Sequence, residues 1–86
     1  MSKKDIKGMI EELETQFEGG FEKYDKEKVE STCRTCMYLG QFTSPGEMGV
    51  ILKGLQEKFP TGFNGNDTYE VANEFKVQLE KYLTTN

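Results

Sequence analysis

The chain has no histidine and only two cysteines among its 86 residues. Without an imidazole, acid–base chemistry near neutral pH loses its usual carrier. Two thiols cannot complete a four-ligand zinc site within one chain. Long apolar runs are also missing. The longest, Met48 to Leu52, is interrupted by Gly49 and falls far short of the roughly 20 residues that span a bilayer. No segment has the form of a signal peptide. Basic residues are outnumbered, 11 against 15 acidic ones, for a net charge of −4. That removes the broad positive field on which direct nucleic-acid binding depends. Strand-like alternation never lasts. Small secreted domains usually carry more cysteine, so the composition points to a cytoplasmic chain with reduced thiols.

Apolar residues recur at helical spacing in four segments, and these predict an all-α fold: one domain over 1–86, a compact bundle of short helices. The first helix, about 3–18, presents Ile6, Met9, Ile10, Leu13 and Phe17. Ser2 is positioned to cap it and Gly19-Gly20 to stop it. The second, about 26–39, presents Val29, Cys33, Cys36 and Met37. Asp25 is positioned to cap it, with Tyr24 stapled onto Val29 one turn in, and Gly40 suits the left-handed residue that closes a helix. The third, about 45–59, begins at Ser44-Pro45-Gly46-Glu47, which has the spacing of a capping box with proline at the first helical position. It presents Met48, Ile51, Leu52, Leu55 and Phe59 and stops at Pro60. The fourth, about 68–83, starts after Asp67 with Glu70 three residues on, and presents Ala72, Phe75, Leu79, Tyr82 and Leu83.

Cys33-Arg34-Thr35-Cys36 is a C-x-x-C motif. In a strand–helix context it would point to thiol redox chemistry. Here it lies within a helical pattern, and two core-facing sulfurs one turn apart are the simplest reading. A dimer pooling Cys33 and Cys36 into a shared zinc site is the alternative. Gly46-Glu47-Met48-Gly49 has the outline of a nucleic-acid-clamping loop, but it lacks the flanking bases and the sheet. The start of helix 3, with the Ser44 hydroxyl and the Gly46 backbone, is the candidate site for a small anion or nucleotide. Glu47 works against that reading. Asn64-Gly65-Asn66-Asp67 lacks the ligand spacing of a calcium loop. Gly46, Gly49 and Gly54 each weaken helix 3 and ask for a close neighbour.

Charge is distributed unevenly. Lys3, Lys4, Asp5 and Lys7 give the first ten residues +2, whereas Glu11, Glu12, Glu14, Glu18 and Glu22 give the next twelve −5. Glu11, Glu14 and Glu18 share one side of helix 1. This order opposes the helix dipole, and like charges at that spacing cost roughly 0.2–0.5 kcal/mol per pair. Lys23, Lys26, Lys28 and Arg34 of the second helical segment are expected to answer part of it. Tyr38, Phe42, Phe63 and Tyr69 fall in loops or on polar faces, either to close the bundle ends or to form an interface patch.

These residues support no catalytic centre and no cofactor. The expectation is a non-catalytic protein-interaction module — an inhibitor, adaptor or assembly factor — that meets a basic protein surface. Glu11, Glu14, Glu18, Tyr38, Phe42, Phe63 and Tyr69 would form its contact surface. In size and composition the chain is similar to phage-encoded factors that target host machinery. A core this small leaves little surplus stability, so self-association into a homo-oligomer is also expected.

Overall fold

The computed structural model describes residues 2–85, so the cap expected from the Ser2 side chain lies outside what is described. The chain forms α1 (Ser2–Gln16), a single 3-10 turn (Phe21–Lys23), α2 (Lys26–Thr43), α3 (Pro45–Lys58) and α4 (Thr68–Thr85). No strand is present among the described residues. The Cα radius of gyration is 11.9 Å, against roughly 12 Å for a folded chain of this length.

The apolar stripes meet in one core. Ile6, Ile10, Leu13 and Phe17 enter from the first segment, Val29 and Cys33 from α2, and Met48, Ile51 and Leu55 from α3. Val71, Ala72, Phe75 and Leu79 enter from α4. Helix α4 is the hub: it packs against α1, α2, α3 and the 3-10 turn. Its N-terminus is capped as its sequence predicts, with the Glu70 N–H donating to the Asp67 carboxylate at 3.0 Å, whereas the Asp25 side chain expected to cap α2 makes no such bond.

The first turn closes on glycines. α1 ends at Gln16, two residues short of the expected limit. Gly19 (φ 91°) and Gly20 (φ 114°) then adopt backbone angles that side chains disfavour. The Phe17 ring contacts Phe21 and Tyr24, both at 5.2 Å between centroids. The Tyr24 hydroxyl donates to the Glu18 carbonyl. The Tyr69 hydroxyl donates to the Tyr24 carbonyl at 2.7 Å, tying this turn to α4.

The link between α2 and α3 departs from the sequence expectation. Gly40 does not end its helix. It lies buried inside α2, which runs on to Thr43, and only Ser44 separates it from α3. A β-carbon at position 40 would collide with the Met48 methyl and press on that of Met9. The glycine is there for close approach rather than for a turn. Ser44, 2% exposed, does not cap α3 with its side chain. Its hydroxyl donates to the Asp5 carboxylate of α1 at 3.0 Å, while its carbonyl accepts the Met48 N–H at 2.8 Å.

The other helical glycines divide by neighbour. Gly54 lies against Gln78 of α4, whereas Gly8, Gly46 and Gly49 have nothing within 4 Å of where a β-carbon would stand. Replacing Gly49 or Gly8 by alanine should therefore stabilise the fold by about 0.5–1 kcal/mol. Gly40→Val should destabilise it by about 2 kcal/mol or more, because Met48 is enclosed on every side. Urea denaturation of the three variants measures this. An unchanged midpoint for Gly40→Val would contradict the close-packing role.

Candidate interaction surface

The C-x-x-C thiols lie one turn apart on the inner side of α2. Cys33 is buried and Cys36 half-buried. Burial pushes the Cys33 thiol up to about 12, with a smaller push from Cys36. Burial also raises the Cys36 thiol, helped by the Glu12 carboxylate. Both shifts favour the thiol over the thiolate, the form in which a cysteine acts as a nucleophile. No three or more Cys, Asp or Glu side chains are grouped to hold a metal among the described residues.

The start of α3 is a poor anion site for a local reason. The Ser44 hydroxyl that would face a ligand is committed to Asp5. Glu47 sits in the first turn of α3, so two carboxylates flank the helix end. Gly46, the other residue expected there, is exposed, with nothing within 4 Å of where a β-carbon would stand.

On α1, Glu11 and Glu14 are exposed, and Glu18 is exposed just beyond the helix. Their charge is answered from a different helix than expected. Lys76 of α4 pairs with Glu14 at 3.2 Å, because α1 packs more extensively on α4 than on α2. Lys26 pairs with Asp67 instead, and Arg34 with Glu30 of its own helix at 2.7 Å. Glu12 accepts a hydrogen bond from Gln16.

The four unassigned aromatics separate into two pairs. Phe63, 8% exposed, is a core residue beneath the Arg34 guanidinium, which lies 5.4 Å from its ring centroid. It is therefore not available as a contact residue. Tyr69 is half-buried, held by its bond to Tyr24 and covered by Lys26 at 5.5 Å. Both lie where the loop and turn segments seal the bundle. Tyr38 and Phe42 differ: they are 62% and 70% exposed. Their rings meet edge to face at 5.1 Å.

This pairing exists because α2 continues past Gly40. The two residues then stand one turn apart on the face opposite Cys33. Leu39, 52% exposed, extends the apolar surface and was not foreseen. Leu39 also borders an open groove of about 390 Å³ between α1 and α2, whose walls include Gly8, Met9 and Cys36. The helical period carried through Gly40 is the signal that would have found this face. From Thr35 to Gly46 the chain holds no charged residue, its longest such stretch. Large apolar side chains, no charge and high exposure together are the composition of an interface centre.

The raised thiols carry a pH signature. A thiol that ionises near 9.0 when unfolded and near 12 when folded binds its proton more tightly in the folded state. Its contribution is complete below pH 9.0 and is lost as pH climbs toward 12. The urea midpoint should fall over that window, and Cys33→Ala should flatten part of the fall. Identical slopes in both proteins would contradict the burial of the Cys33 sulfur.

No family model matches the chain, and no curated protein or solved structure matches it either.

Proposed function

We propose that this chain is a non-catalytic protein-interaction module, acting as an inhibitor, adaptor or assembly factor inside the cell. It meets other proteins through the apolar face of α2 and the acidic side of α1. The observation that carries this reading is the exposed Tyr38–Phe42 pair, with Leu39 beside it, in an uncharged stretch of an otherwise highly charged chain. Leaving such a patch in water forfeits the burial energy of two aromatic rings, and patches of this kind mark docking sites. Glu11 and Glu18, exposed on α1 and just beyond it, give the molecule a second, negative surface that steers basic surfaces toward it. The reading as a non-enzyme draws support from the missing imidazole and from thiols held protonated.

A photoreactive phenylalanine placed at position 42 tests the docking face in native cells. It should form a discrete protein adduct that unlabelled wild-type chain competes away and a Tyr38→Glu/Phe42→Glu chain does not. Equal competition by both would refute the docking role of this face. Reversing Glu11 and Glu18 to lysine should weaken capture of a basic partner several-fold at low salt and much less at high salt. Capture that ignores this double reversal would remove the acidic side of α1 from partner binding.

A further inference from the structure

We propose that the apolar face of α2 takes a second copy of this chain, with the two α2 helices antiparallel about a two-fold axis passing between Tyr38 and Phe42. This inference rests on the reading of that face as a docking surface and names its occupant. Three observations support it, and the first is the charge at the two ends of the face. The uncharged stretch is bounded by Arg34 on one side and Glu47 on the other. Since Ser44 alone links α2 to α3, Glu47 stays beside the C-terminal end of α2.

Antiparallel pairing sets the positive end of each copy against the negative end of the other, at both edges. Parallel pairing would set like against like. Arg34 remains more than half exposed despite its bond to Glu30, and Glu47 makes no ion pair among the described residues. Antiparallel helices also oppose their dipoles favourably.

The second observation is the net charge of −4. Two copies of like net charge repel on average, and that repulsion is least at the α2 face, which lies in the longest uncharged stretch of the sequence. A partner of either sign finds no electrostatic grip there, whereas a neutral face with oppositely charged ends is complementary to itself. Isologous dimers need this self-complementarity.

Area is the third observation. A buried aromatic side chain contributes about 150–250 Å², and Tyr38 and Phe42 are each more than 60% exposed. With Leu39 and the flanking small residues, a symmetric contact covers roughly 1,000 Å² in total. That is the lower edge of specific association, so a reversible dimer in the micromolar range or weaker is expected. In it, Tyr38 of one copy packs on Phe42 of the other, and the acidic side of α1 stays free for a basic partner.

Sedimentation equilibrium of the full chain from micromolar to millimolar concentration tests the proposal. The wild type should pass from monomer to dimer. Phe42→Glu, which sets a carboxylate against the Tyr38 ring of the other copy at both halves of the contact, should raise the dissociation constant by about 100-fold or more with an unchanged circular dichroism spectrum. Glu47→Lys should raise it roughly three- to tenfold, and adding Arg34→Glu should restore it.

A wild type that stays monomeric at millimolar concentration overturns the second-copy proposal, while an adduct at position 42 with another protein would still uphold the docking face. Dimers indifferent to Phe42→Glu overturn it as well, again without touching the docking face, which the position-42 adduct decides. Weakening by Phe42→Glu without any response to the charge changes overturns the antiparallel register.

Discussion

The fold depends on burying one apolar stripe, that of α4. Val71, Ala72, Phe75 and Leu79 have almost no surface in contact with solvent, and every other element leans on them. In a chain of 86 residues there is no second core to fall back on. The other helices are arranged so that each delivers its own stripe to this one: α1 and α3 with whole aliphatic side chains, α2 with the smaller Val29, Cys33 and Gly40. The small residues of α2 let it sit close to Met48 and Met9.

That economy has a consequence on the outside of α2. A helix that contributes small residues to the core has its bulk elsewhere, and here Tyr38, Leu39 and Phe42 stand on the solvent side. The same thiols that fill the inner side are raised by that burial. Polar contacts then fix the ends of the bundle. Ser44 on Asp5 pins the α2–α3 link to α1. Tyr69 on Tyr24 pins the first turn to α4. Asp67 caps α4 where the long loop ends.

The four helices were legible in the sequence because burying one face of a helix imposes a 3.6-residue period on the chain, visible in residues such as Ile6, Ile10, Leu13 and Phe17 without any partner being known. The same holds for Gly19-Gly20 and Pro60 as stops and Asp67 as a cap, where the chemistry is local. The candidate surface was legible in part. Tyr38 and Phe42 were identifiable as aromatics off the core stripe, but Phe63 and Tyr69 fell in the same group, and nothing local separates a ring that plugs a bundle end from one left in water.

By itself, the sequence determined the helices, most of their limits and most of the core, with Phe63 and Val71 among the exceptions, since propensity, periodicity and turn chemistry act over a few neighbouring residues. Only the tertiary structure decided that Gly40 continues a helix, that Lys76 rather than α2 answers Glu14, that Ser44 bonds Asp5 across 39 positions, and that two of four stray aromatics remain exposed. Each of these is a contact between segments distant along the chain, and its energy depends on how helices pack rather than on which residues adjoin in sequence.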